Sequence, residues 1–110
     1  MKSDHLHGTL DVLILTALGR GPMHGFGVGK WLEEKGGAEL RVDEGSLYPA
    51  LYRLERKGLL EAEWGTSENN RRAKYYRLTR EGERRVATGT AGWNAFSAAV
   101  GRVLAAGQEG

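Results

Sequence analysis

Gly45-Ser46-Leu47-Tyr48-Pro49-Ala50-Leu51-Tyr52-Arg53-Leu54-Glu55-Arg56-Lys57-Gly58 is the stretch on which the reading of the fold turns. It carries the marks of one short helix over 46–57. Ser46 is placed to cap it, and Pro49 is acceptable if it falls in the first turn, where its missing N–H has no partner to lose. Gly58 follows the last basic residues, where a left-handed cap is expected. At about 100° per residue, Leu47, Leu51 and Leu54 share one narrow face with Ala50 beside them. Pro49, Tyr52, Arg53 and Arg56 fall on or near the opposite face, with Tyr48 at the border. A leucine stripe turned to a core and backed by tyrosines and arginines is what a groove-reading helix needs. A surface helix with a merely solvated outer face has the same pattern, so the flanking sequence must decide.

Downstream, Leu59-Leu60-Glu61-Ala62-Glu63-Trp64 alternates with period two, Gly65 to Asn70 reads as a turn, and Ala73-Lys74-Tyr75-Tyr76-Arg77-Leu78 alternates again. These predict a β-hairpin, or wing, whose tip and return strand carry Arg71, Arg72, Lys74 and Arg77. Alternation places Leu60, Ala62 and Trp64 inward, faced by Tyr76 and Leu78. Basic residues on a hairpin also serve as plain edge protection. Directly after a helix faced with tyrosine and arginine, they fit a grip on a phosphate backbone better.

The distribution of charge agrees. The net charge of the 110 residues is only +2, but it is uneven along the chain. Residues 1–52 carry five basic and seven acidic side chains, 53–85 carry ten and six, and 86–110 carry one of each. A basic middle of this kind suits one face built for a polyanion.

Upstream, Thr9 to Leu18 predicts a helix in which Leu10, Leu13, Ile14, Ala17 and Leu18 keep the i, i+3, i+4, i+7, i+8 pattern. Val12 and Leu15 lie off that stripe, which points to a second buried contact with a partner subunit. His24 to Lys35 predicts a second helix with Phe26, Trp31 and Leu32 in the core, and Leu40-Arg41-Val42 a minimal strand. Gly25-Phe26-Gly27-Val28-Gly29-Lys30 has neither phosphate-loop spacing, and Trp31 stands where a magnesium-binding hydroxyl is needed, so a nucleotide site is rejected.

After Thr79, a predicted cap, a helix runs to about Ala106. Val86, Trp93, Phe96, Val100 and Val103 step by seven, three, four and three, an a/d seam with Gly89 in the remaining position. Such a rod exceeds what the body's own core needs. Its far end, Trp93 to Leu104, is offered to another chain.

Composition closes off other classes. There is no cysteine, hence no disulfide framework and no thiolate metal site. The N-terminus runs into a helix pattern rather than a signal-peptide core. The longest uncharged run, Val86 to Gly101, is too short and too rich in small residues to span a bilayer. A soluble cytoplasmic protein is expected. His5, His7 and His24 are the only imidazoles and no nucleophile has an evident base partner, so neither an enzyme nor a metal or other cofactor is expected.

The order helix, helix, helix, hairpin, long helix resembles the PadR family of bacterial winged-helix transcriptional regulators across nearly the whole chain. Four blocks carry the resemblance: Gly8-Thr9-Leu10-Asp11-Val12-Leu13-Ile14-Leu15, Gly21-Pro22-Met23-His24-Gly25-Phe26, Gly45 to Glu55, and Arg71-Arg72-Ala73-Lys74-Tyr75-Tyr76-Arg77-Leu78-Thr79. Phe26 replaces the tyrosine common in the family's His-Gly-Tyr motif, so a role of that hydroxyl does not carry over.

The resemblance implies a mainly α chain with a small β-hairpin. A winged helix-turn-helix DNA-binding domain would occupy 1–78 and a C-terminal dimerisation helix 79–110. It also implies a homodimer, usually a repressor, whose 46–57 helix enters the major groove while the 65–74 wing touches the backbone or minor groove. The residues placed on DNA are Ser46, Tyr48, Pro49, Tyr52, Arg53, Arg56, Asn70, Arg71, Arg72 and Lys74. Those placed in the dimer are Leu10, Val12, Leu15, Val86, Trp93, Phe96, Val100, Val103 and Leu104. Some relatives bind planar aromatic effectors between the long helices, and Trp93 is the residue on which one would stack. A plain seam residue explains Trp93 as well and is preferred. The competing class is a winged-helix module that binds only proteins.

Overall fold

The computed structural model describes residues 4–109, with side chains from Gly8 onward. Met1 to Ser3 and the side chains of His5 and His7 therefore lie outside the described residues. The elements run α1 (Asp4–Leu18), β1 (Met23–His24), α2 (Gly25–Gly36), a 3-10 turn (Ala38–Leu40), α3 (Glu44–Arg56), β2 (Leu60–Thr66), β3 (Arg72–Leu78) and α4 (Arg80–Gln108). The three strands form one antiparallel sheet in the order β1-β3-β2.

The core gathers around α1, which touches α2, α3, α4 and β3. Ile14, Leu15, Ala17 and Leu18 are buried there with Val28, Leu32, Leu47, Ala50, Leu51, Leu54, Leu59, Leu60 and Tyr76. Leu15, expected at a partner contact, is fully buried in its own chain. A helix enclosed on several sides by its own domain needs apolar residues off its main stripe, and Leu15 is one of them. Val12 is likewise engaged at home. It lies against Gly89 of α4, where an added Cβ would come within 2.4 Å of Val12 Cγ2.

In α2 the buried face is Gly25, Val28 and Leu32, with Trp31 partly buried against it. Phe26, expected in the core, is 66% exposed, because it lies about 200° around the helix axis from Val28. The strand expected at Leu40 to Val42 does not form. Met23 and His24 take the place beside β3, paired with Tyr76 and Tyr75. Leu40 instead closes over Gly36 from the 3-10 turn.

α3 begins earlier than Ser46. Asp43 is the cap, its Oδ1 accepting the Ser46 N–H at 2.8 Å, so Ser46 stands inside the helix. Pro49 consequently falls beyond the first turn and removes the donor that the Gly45 carbonyl would have used. At the other end Gly58 adopts φ 78. Its N–H bonds the Glu55 carbonyl and the Leu59 N–H the Leu54 carbonyl, each at 3.0 Å, with Leu54 and Leu59 both buried. This paired closure with its apolar contact is the Schellman arrangement.

The hairpin register pairs Leu60 with Leu78, Ala62 with Tyr76 and Trp64 with Lys74. Trp64 thus lies on the face that alternation assigns to it, yet its ring is 56% exposed. The hairpin runs past the end of the core, and at this last inward position the Arg72 guanidinium stacks on the indole at 4.5 Å.

Thr79 caps α4 as expected, its hydroxyl accepting the Gly82 N–H at 3.1 Å. The 29 residues of α4 make a rod of about 43 Å. Its first half packs on the domain through Val86 and Gly89. Along the second half Trp93, Val100, Val103 and Leu104 are exposed.

Candidate nucleic-acid interface

Burying Leu47, Ala50, Leu51 and Leu54 turns Ser46, Tyr48, Pro49, Tyr52 and Arg56 outward on one face of α3. Tyr48 lies against Gly25, where a Cβ would meet its ring at 2.4 Å, so a larger residue there would push the tyrosine from its place. Burial, and then the charge of Glu44, push the Tyr48 phenol above its ordinary range; at neutral pH it is an O–H donor. Arg56 holds its guanidinium over the Tyr52 ring at 5.8 Å.

Two of the cations placed on DNA by the sequence are engaged within the chain. Arg53 Nη2 donates to Asp11 Oδ1 at 2.6 Å, and Lys74 Nζ to Glu55 Oε1 at 2.9 Å. The bond to Glu55 raises the Lys74 ammonium above its ordinary range against the opposing effect of burial, so it stays charged. Arg77 likewise pairs with Glu61 on the neighbouring strand at 3.0 Å.

The wing tip has a defined shape. Ser67 and Asn70 close a turn, Asn70 N–H to Ser67 carbonyl at 2.9 Å, and the Ser67 N–H reaches the Arg71 carbonyl at 2.7 Å. Asn70 completes the loop at φ 59, a left-handed conformation that asparagine tolerates. Arg71 follows the turn and Arg72 opens β3, both exposed, with Arg72 on the face of the hairpin that carries Trp64.

Between the start of α2 and the wing lies an open groove of about 720 Å³, to which α3 contributes Tyr48. Tyr48 and Phe26 line one side, Trp64, Arg71, Arg72 and Tyr75 the other, with Lys30 and Lys74 also on its wall and Glu68 its sole carboxylate. His24 packs edge-on against Tyr75, ring centres 5.4 Å apart, which fixes the floor. Sequence reasoning missed Lys30, Phe26 and Trp64 as members of this surface. Periodicity assigns both aromatics to a core, and only the hairpin's length relative to the body hints otherwise. A second, smaller cleft of about 220 Å³ lies between α1 and α4, lined by Asp11, Val12, Arg85, Gly89 and Trp93.

Three helices on a small antiparallel sheet, with an outward-facing α3 beside a basic hairpin, define a winged-helix fold of the DNA-binding type. The model of the transcriptional regulator PadR-like family matches residues 14–88. The chain belongs to that family. A transcriptional regulator from Clostridium thermocellum is 28% identical, with a TM-score of 0.79 over 93% of this chain and 96% of that one. A PadR-family transcriptional regulator from Eggerthella lenta is 37% identical, with a TM-score of 0.75 over 90% and 85% of the two chains. An uncharacterised protein from Lysinibacillus sphaericus is 29% identical over 76% of each chain. The family and these solved structures are regulators of transcription rather than enzymes. No helix among the described residues is long and apolar enough to cross a membrane.

Proposed function

We propose that the protein is a homodimeric repressor that binds a palindromic operator and acts in the cytoplasm, where bacterial DNA is. Each protomer sets the exposed face of α3 into a major groove and lays the wing along the adjacent backbone. The two copies lie about 34 Å apart, one helical turn of DNA. The domain over 1–78 does the reading and the helix over 79–110 holds the pair together. The observation that carries the proposal is the pairing of an outward face bearing Ser46, Tyr48, Tyr52 and Arg56 with a groove rich in cations along its wing side. Arg56 is the guanidinium best placed for a guanine edge or phosphate, while Ser46, Tyr48 and Tyr52 supply hydroxyls. Asn70, Arg71 and Arg72 meet the backbone. None of this requires catalysis or a cofactor.

A gel shift on the DNA flanking its own gene, run at two salt concentrations, tests the reading. A module that binds only proteins would leave that DNA unshifted. The Arg71→Ala/Arg72→Ala variant is expected to flatten the dependence of log affinity on log salt by roughly one unit for each phosphate it no longer neutralises. An unchanged slope would remove the wing as a backbone clamp.

The cleft beside Trp93 is the site proposed for effector control. A planar aromatic compound that relieves repression is expected to quench tryptophan fluorescence, and Trp93→Phe to lose that quenching. Full quenching in the variant would reduce Trp93 to a seam residue.

A further inference from the structure

We propose that Asp11 is a positioning residue for the reading helix. Through its ion pair with Arg53 it fixes the tilt of α3 relative to α1, and so governs sequence discrimination, while Arg53 itself is not a DNA ligand. This rests on the DNA-binding reading above.

The geometry is specific. Asp11 stands on α1 and Arg53 on α3, 42 residues apart, joined at 2.6 Å. The Asp11 side chain is only 16% exposed and that of Arg53 38%. Among the described residues no other ion pair joins α1 to α3. Drawing Arg53 out to a phosphate would leave the half-buried Asp11 carboxylate without this cation, a cost that grows with how little water reaches it. DNA would offer Arg53 one anion in exchange for another. Arg56, one turn further along α3, is exposed and stacked on Tyr52, so it can meet the groove without that cost.

The opposite flank of α3 is tied in the same way. Glu55, two residues from Arg53, holds Lys74 of the wing at 2.9 Å. The reading helix is thus braced from α1 on one side and from the hairpin on the other. Asp11 also forms part of the wall between α1 and α4, beside Arg85 and Trp93. A rotation of α1 against α4 would therefore be passed to α3 through a charge-assisted bond, which loses strength steeply as its geometry degrades.

The test uses a duplex enriched by the wild-type protein from a random-sequence library, and a scrambled duplex of equal length. Asp11→Asn is expected to lower the ratio of specific to scrambled affinity roughly tenfold, with affinity for the scrambled duplex and its salt slope unchanged. Arg53→Gln should give the same loss, and the double variant no greater one. The exchanged pair Asp11→Arg/Arg53→Asp should recover discrimination. Wild-type or tighter binding by Asp11→Asn, alongside a loss and a flatter salt slope in Arg53→Gln, would overturn the proposal by making Arg53 a DNA ligand. Additive losses in the double variant would overturn it too. Thermal melting accompanies each variant. Should Asp11→Asn melt below the assay temperature, the exchanged pair decides alone, recovery supporting the strut and continued loss removing it. Failure of the wild type to enrich any duplex is a different result, which removes the DNA-binding reading and this proposal with it.

Discussion

Replacing Val103 and Leu104 together with glutamate is expected to leave a folded monomer that no longer retards operator DNA. Val103 is 70% and Leu104 64% exposed, so little of the domain's own packing depends on them. Burying such a side chain fully is worth about 1.5 to 3 kcal/mol. In a two-fold dimer each substitution counts twice, and a buried glutamate adds a desolvation cost. With about a third of each side chain already covered, the four copies together give a weakening of about 4 to 8 kcal/mol, roughly a thousandfold or more in the dissociation constant of the proposed dimer. Operator affinity should fall by two or more orders of magnitude, because the second half-site would lose its tethered partner. Sedimentation equilibrium reads the mass and a gel shift the affinity, while circular dichroism should remain that of the wild type. A double variant that is still dimeric would place the subunit contact elsewhere.

Gly82→Ala is expected to destabilise the monomer fold severely for the addition of a single methyl. A Cβ on Gly82 would stand 2.2 Å from the Leu59 carbonyl oxygen, a backbone atom that cannot rotate aside. That carbonyl already accepts the Thr79 N–H at 3.1 Å, and the Thr79 hydroxyl donates to the Gly58 carbonyl at 2.7 Å. The whole junction must therefore shift, at about 2 to 3 kcal/mol, or roughly 10 °C or more in Tm for a chain of this size. Gly101→Ala is the contrast. It lies off the apolar seam with nothing within 4 Å of its added methyl, and should raise Tm by relieving glycine's cost of up to about 1 kcal/mol in a helix. Equal melting of wild type and Gly82→Ala would mean that the junction has slack.

The elements legible in the sequence are those whose periodicity and punctuation agree. α3 shows its buried stripe and its Gly58 terminus because leucine spacing and the glycine point the same way. Its cap is ambiguous because Asp43 and Ser46 are both good capping residues three positions apart, and only the backbone chooses between them. Phe26 and Trp64 mislead because apolar character does not guarantee burial. At the edge of a small domain the correct face runs out of core beneath it. β1 is invisible, since two residues carry no period and Met23-His24 becomes a strand only through its partner β3. The ion pairs of Arg53 and Lys74 join residues far apart in sequence. Helix phase gives the side on which an arginine lies, but not the carboxylate to which it is bound.

The corner where the end of α3 meets the start of α4 bears on operator choice as well as on stability. Two hydrogen bonds across it, from the Thr79 N–H to the Leu59 carbonyl and from the Thr79 hydroxyl to the Gly58 carbonyl, and a glycine in close contact hold that corner. In the proposed dimer, protomers joined through such stiff shoulders would neither stretch nor swivel to suit a mis-spaced site. One base pair inserted at the centre of symmetry moves the far half by about 3.4 Å and turns it around the duplex axis. On that reading, new target promoters would arise by changes of letter rather than of ruler.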